Sequence, residues 1–227
     1  MSTQPFTHKG FSGETMTSEL FDKAAGDWDK NSLRLQLARS VAAAIKNTVP
    51  LNNDMSALEI GCGTGLITTE LAPHLKSIVA TDTSGGMLWV LQEKINGQSL
   101  ANIETMQLDL AADDNPLAGR SFNLIYSSMT LHHIKNTAAV LQKCRQLLAP
   151  EGFLAIADLE KEDGTFHGDM GGVEHLGFAP GQLAELVSKS GFSQLNIATA
   201  HVITKENAQR QVRDYPVFLL TARRGEP

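Results

Sequence analysis

From residue 57 onward, five short apolar runs, at 57–61, 77–81, 103–108, 122–127 and 153–158, alternate with helix-length stretches at 66–75, 86–95 and 137–148. Strands that are mostly apolar along their whole length belong in a sheet covered on both faces, and strands separated by helices pair in parallel through right-handed crossovers. The chain is therefore expected to be α/β, a doubly wound and mostly parallel sheet flanked by helices on both faces. Ahead of the first strand, residues 18–46 read as helical, with Leu20, Phe21 and Ala24 on one face, then Leu33, Leu37, Val41, Ala44 and Ile45 at helical spacing. Beyond residue 158 the rhythm breaks. Residues 159–179 are rich in glycine, charge and histidine, as in a long functional loop. A helix is expected at 180–191, begun at Pro180 and closed by Gly191, and apolar runs at 195–202 and 217–222 fit the last strands.

A chain of 227 residues suits one domain with a modest appendage. The expected organisation is an N-terminal helical cap at 1–50, a core at 51–158, and an acceptor-side loop with the last strands at 159–227. No apolar run approaches the ~20 residues of a bilayer span, and the N-terminus lacks an apolar stretch followed by a cleavage site. A cytoplasmic protein without a membrane partner is expected. Cys62 and Cys144 are too few for a disulfide framework and neither lies in a CxxC pair, so both are expected to be packed or loop thiols. A formal net charge of -6 opposes non-specific attraction to a phosphate backbone.

Gly61-Cys62-Gly63-Thr64-Gly65, preceded by Glu59, stands at the junction of the first strand and its helix. Glycines there let the chain turn sharply and bring backbone close to a nucleotide-like ligand. The dinucleotide fingerprint GxGxxG fails, because its last glycine would fall at Leu66. The next strand ends at Asp82, where a carboxylate can accept both hydroxyls of an unphosphorylated ribose. With these two features on the page, the sequence resembles class I S-adenosylmethionine-dependent methyltransferases, a Rossmann-like family, strongly over residues 21–158 and weakly beyond. Glu59 to Gly65 matches the family's acid-GxGxG motif. Asp82-Thr83-Ser84-Gly85-Gly86-Met87-Leu88 is similar to its DxSxxML stretch, and Asp109 in Gln107-Leu108-Asp109-Leu110 matches its third motif. The run from Phe122 to Ser128, followed by Leu131-His132-His133-Ile134, resembles its fourth strand. Residues 147–153 resemble its turn into the fifth strand, with Glu151 where glycine is usual. Residues 21–29 resemble the helix that caps the cofactor, with Trp28 where tyrosine is common.

The resemblance implies S-adenosylmethionine as cofactor, Gly61 and Gly63 at its methionine part, Asp82 at the ribose, Met87, Asp109 and Leu110 at the adenine, and Ser127 near the methyl group. Structural alternatives stand beside these roles: close helix packing for the glycines, a helix cap for Asp82, a solvated loop acid for Asp109, and core packing for Met87 and Trp28. Methyl transfer needs alignment of a nucleophile with the methyl and sulfur, exclusion of water, and a base if the nucleophile carries a proton. His132, His133, His167 and His175 fall near the inferred mouth, and His132, His167 and His175 are the candidate catalytic residues. His167, Asp169, Glu174 and His175 have the chemistry of metal ligands, but their spacing fits no fixed template, and no metal is expected. Ser127-Ser128-Met129-Thr130 lacks the acid or asparagine with Pro-Pro-aromatic of amino-methylating enzymes of DNA and RNA, and Cys144 is placed in a helix, unlike the loop cysteine of cytosine C5 enzymes. A small-molecule acceptor is expected, with no nucleic acid partner. The rival readings are a non-catalytic module binding S-adenosylmethionine or S-adenosylhomocysteine, and an NAD-dependent oxidoreductase, against which Glu59 and Leu66 both count.

Overall fold

The computed structural model describes residues 13–112, 116–167, 171–207 and 209–225. In chain order its elements are α1 (Gly13–Ala24), α2 (Ser32–Thr48), β1 (Ser56–Ile60), α3 (Leu66–Leu71), β2 (Ser77–Asp82), α4 (Gly85–Gln98), β3 (Ile103–Gln107), β4 (Phe122–Ser128), α5 (Thr137–Leu147), β5 (Leu148–Leu159), α6 (Pro180–Lys189), β6 (Phe192–Glu206) and β7 (Val212–Arg224). Short 3₁₀ turns at Ala25–Lys30, Ala72–His74 and Leu131–His133 join them. The described strands form one seven-stranded sheet in the order β3-β2-β1-β4-β5-β7-β6. Strands β1 to β5 are parallel, and β7 enters antiparallel between β5 and β6.

The alternation of side chains along the inner strands divides the core. On one face Ala57, Ile78, Ala80, Leu124 and Tyr126 meet Leu37, Val41 and Ile45 of α2, Leu71 of α3, and Leu91 of α4. On the other, Leu58, Val79, Ile125, Leu154 and Ile156 meet Val140, Leu141 and Cys144 of α5 and Leu183 and Val187 of α6. Each strand thus feeds both layers, which is why it reads as a continuous apolar run. Helices start where side chains replace missing backbone partners: Asn31 accepts from the amides of Leu33 and Arg34, Ser84 from Met87, and Asn136 from Ala139.

Two differences from the sequence reading have local causes. The strand read at 153–158 begins at Leu148, because Glu151 at φ 60° turns the chain without ending the run. The last two strands extend well past their apolar stretches, since β6 and β7 pair along a long hairpin whose outer residues face solvent. The two ends of the segment after β5 are tied together by backbone bonds. The amides of Lys161 and Glu162 donate to Phe178 and Leu176, and Phe178 donates back to Leu159. No helix among the described residues is long and apolar enough to cross a membrane. Cys62 and Cys144 are free and buried, as expected.

The sheet order reverses at β1, which has β2 on one side and β4 on the other, with their following helices on opposite faces. A crevice opens at such a switch point beyond the carboxyl ends of the strands. The loops that close β1, β2, β3 and β4 therefore converge on one place.

Candidate active site

After Ile60 the chain turns through the glycine loop into α3. Gly63 has φ +55°, and a Cβ built there would meet nothing within 4 Å, so the loop presents bare backbone to open space. The two flanking glycines serve the protein itself. A Cβ on Gly61 would lie 2.2 Å from the Thr130 hydroxyl, and one on Gly65 would lie 2.3 Å from Leu91 of α4. Close packing thus describes Gly61 and Gly65, and Gly63 alone of the three has open space beside it.

Asp82 ties the end of β2 to that loop. Its Oδ2 accepts the Gly63 amide at 2.8 Å, and its Oδ1 accepts the Ser84 amide at 2.9 Å. Burial raises its pKa above the ordinary carboxylate value despite these bonds. Each carboxylate oxygen has a second lone pair, so two backbone bonds leave acceptor capacity for a ribose. Glu59 is braced beneath the loop, 2% exposed, with its Oε2 accepting from Thr68 at 2.5 Å and Tyr126 at 2.9 Å. Burial pushes its pKa up to about 8.

The N-terminal segment is bound to this loop by two acids. Asp22 accepts from the Ser84 hydroxyl at 2.5 Å and the Gly86 amide at 2.8 Å. Asp29 accepts from the Thr64 hydroxyl at 2.6 Å and pairs with Lys94 at 2.6 Å, while Lys94 also donates to the Thr64 carbonyl. Trp28 lies between them in sequence, its ring 5.7 Å from Phe21 and covered by the Arg34 guanidinium at 3.6 Å. The cap is thus in place over the loop. Asp22 and Asp29 lie within the stretch that resembles the capping helix, but their partners in α4 and the glycine loop emerge only in the fold.

The remaining expected cofactor residues divide. Thr83 is exposed, and its carbonyl holds the Gln107 amide. Asp109 closes a turn by accepting the Ala111 amide at 2.7 Å, with Leu110 buried beside it. Met87 is buried, 1% exposed, which agrees with the core-packing alternative for its side chain. Ser127 is likewise buried, and its hydroxyl is spent on the Ile60 carbonyl across the strands. Both are held by packing that one sequence cannot show.

Histidines gather beyond β4 and β5. The Nδ1 of His132 lies 2.6 Å from Asp158 Oδ1, and both residues are buried. The His132 Nε2 is buried without a hydrogen-bond partner among the described residues, as is that of His167. The His132 ring centroid is 4.1 Å from that of His133 and 4.8 Å from that of His167. Desolvation and mutual repulsion hold the pKa of His133 down to about 4 and that of His167 to about 3, so both are neutral at pH 7. One of His167 and His175 is expected to line the acceptor pocket, and the two are engaged differently. His167 stands against His132 and His133. The His175 Nε2 is engaged by the Ile134 carbonyl at 3.0 Å and the Thr137 hydroxyl, its ring packs on Phe178, and its amide donates to the His132 carbonyl at 3.0 Å. Asp158 went unnamed because a strand-end acid is ordinary until a histidine is found against it. Of the residues considered as metal ligands, Asp169 lies outside the described residues, and no group of three potential ligands occurs among the others.

The described methyltransferase domain family matches residues 58–154, the stretch holding the glycine loop, Asp82, Asp109 and His132. The chain is 35% identical over 167 residues to an uncharacterised methyltransferase of Schizosaccharomyces pombe, spanning 68% of this chain and 57% of that one. Residues 58–154 of this chain thus match a methyltransferase domain. Solved methyltransferase-fold neighbours agree in architecture. DhpI in complex with S-adenosylhomocysteine superposes with a TM-score of 0.70 at 20% identity, covering 96% of this chain and all of that one, at 100%. An S-adenosylmethionine-dependent methyltransferase of Aquifex aeolicus gives 0.65 at 19% identity, covering 91% and 98%. The chain spans 57% and 55% of the length of curated methyltransferase relatives from Schizosaccharomyces pombe and Mycobacterium bovis.

Proposed function

We propose that this chain transfers a methyl group from S-adenosylmethionine to a small-molecule acceptor that gives up a proton as it is methylated, with His132 as base and Asp158 as its orienting partner. The cofactor supplies an electrophilic sulfonium methyl. The open backbone at Gly63 would receive its methionine end, and Asp82, already anchoring that backbone, would take the ribose hydroxyls. Asp109 and Leu110 would border the adenine. The space beside the Gly63 Cα, free of other atoms within 4 Å of a built Cβ, lets a ligand approach this backbone.

The observation that carries the proton-transfer role is the buried His132 and Asp158 pair with an unsatisfied Nε2. An aspartate on Nδ1 fixes the tautomer in which Nδ1 carries the proton and Nε2 offers its lone pair. A buried nitrogen left unpaired costs about 1–3 kcal/mol, a deficit that an acceptor proton removes on binding. The backbone amide of His132 also donates to Asp158, at 3.3 Å, so one carboxylate fixes both the ring and its peptide. Neutral His133 and His167 beside it add no positive charge to oppose proton uptake. The net charge of -6 supports a small acceptor over a nucleic acid.

The test begins with labelled S-adenosylmethionine and fractionated metabolites to find the acceptor. His132→Gln is then expected to lower kcat by ~10²–10⁴-fold, the usual contribution of a general base. Asp158→Asn should lower kcat too, while S-adenosylhomocysteine affinity stays within twofold in both variants. His175→Ala should turn over like wild type. Wild-type turnover by His132→Gln would end the base assignment, and cofactor binding without any turnover on any fraction would favour a non-catalytic binding module.

A further inference from the structure

Arg34 and Lys205 stand at the two ends of a continuous aromatic wall. Arg34 lies 3.6 Å above the Trp28 ring, Trp28 touches Phe21 at 5.7 Å, Phe21 touches His133 at 5.4 Å, and His133 neighbours His132 and His167. His167 then contacts Phe166 at 4.7 Å, over which the Lys205 ammonium sits at 3.8 Å. The two cations are carried by packed elements, Arg34 by α2 and Lys205 by β6. The positive charge of Arg34 is accordingly felt at Lys205, and burial holds both groups below their ordinary basic values.

Neither cation has a carboxylate within 4 Å among the described residues. The nearby acids are used elsewhere. Asp29 pairs with Lys94, and Glu162 receives the Phe166 amide on Oε2, while its Oε1 is buried without a partner. The donors are mostly free as well: an ammonium has three and a guanidinium five. Lys205 uses one on the Phe166 carbonyl, and Arg34 reaches the Trp28 carbonyl only at 3.4 Å. Asp29 acts on Arg34 and Glu162 on Lys205 from beyond 4 Å, and an anion between the two half-buried cations supplies the close contact that both lack among the described residues. The unsatisfied His132 Nε2 lies on the same wall.

We propose that the acceptor carries an oxyanion, a carboxylate or a phosphate, that docks between Arg34 and Lys205 and thereby sets its reacting atom against His132. This specificity role rests on the reading of the crevice as a methyl-transfer site. An oxyanion takes charge-assisted bonds from both cations, and the rings between them form an apolar floor for the rest of the acceptor.

The experiment uses the full chain saturated with S-adenosylhomocysteine and three probes: benzoate, phenyl phosphate and neutral benzamide. Calorimetry should show at least one anion binding tenfold or more tightly than benzamide, and which anion wins identifies the group. Lys205→Met should remove most of that preference while leaving benzamide affinity and cofactor affinity unchanged, and Arg34→Met should remove it at saturating S-adenosylhomocysteine while leaving benzamide affinity unchanged. Lys205→Arg, which keeps the charge, should restore it. A merely structural role for these side chains would weaken all three probes alike. Equal binding of the anions and benzamide by wild type, or an anion preference that survives both methionine variants, overturns the proposal while the methyltransferase reading stands. Absence of S-adenosylhomocysteine binding overturns both.

Discussion

At the residue scale, Glu59 shows how a motif residue acts from below a site. It stands at the end of β1 with its carboxyl between the Thr68 and Tyr126 hydroxyls, and burial lifts its pKa from 4.5 to about 8. The native state therefore holds a proton that the unfolded chain releases above pH 4.5. Stability falls as pH rises from 4.5 toward 8 and levels beyond it. His133 and His167 act with the opposite sign, since their lowered values make the unfolded chain bind more protons below 6.5, and their contribution is complete above that pH. The interval from 6.5 to 8 thus reports mainly on Glu59. Urea unfolding is expected to show wild type losing on the order of 1–2 kcal/mol across it, at 1.36 kcal/mol per pH unit for one proton. Glu59→Gln keeps an oxygen for both hydroxyls and cannot ionise, so its profile there should be flat. Parallel profiles for the two proteins would show that Glu59 is already ionised in the folded state.

At the element scale, the cap formed by α1, the Trp28 turn and the start of α2 is joined to the glycine loop and α4 by Asp22 and by the cluster of Asp29, Thr64 and Lys94. These bonds cross between segments far apart in sequence, and they fix the cap against the glycine loop and α4. Lys94 is mostly buried, with 19% of its side chain exposed, so its pairing is less screened than a surface ion pair. Asp29→Asn combined with Lys94→Met should loosen the cap without touching the sheet. The expected outcome is an S-adenosylhomocysteine dissociation rate raised about tenfold in stopped-flow measurements, with a melting temperature lowered by only a few degrees, in keeping with roughly 1 kcal/mol. An unchanged dissociation rate would separate the cap from cofactor retention.

At the scale of the whole molecule, the alternation of apolar runs and helices was enough to read the parallel sheet, its two covered faces and the position of the crevice, because each βαβ unit is a local pattern. The glycine loop and Asp82 were legible for the same reason, being consecutive residues at one strand end and the next. Side-chain placement was not. Met87 and Ser127 belong to motifs yet are buried by neighbours brought from distant strands, and His175 resembles His167 in sequence but bonds to Ile134. Asp158, Asp22, Asp29, Arg34 and Lys205 acquire roles only through contacts across the fold, which spacing along the chain does not encode. The central claim is that the backbone at Gly63 receives S-adenosylmethionine. Its most direct measurement is calorimetric titration of S-adenosylhomocysteine into wild type and into Gly63→Asn, since asparagine tolerates the left-handed conformation while filling the open space. The account predicts saturable one-to-one binding by wild type and at least a tenfold loss in a folded Gly63→Asn protein, whereas no binding by wild type, or equal affinity in the two, would contradict it.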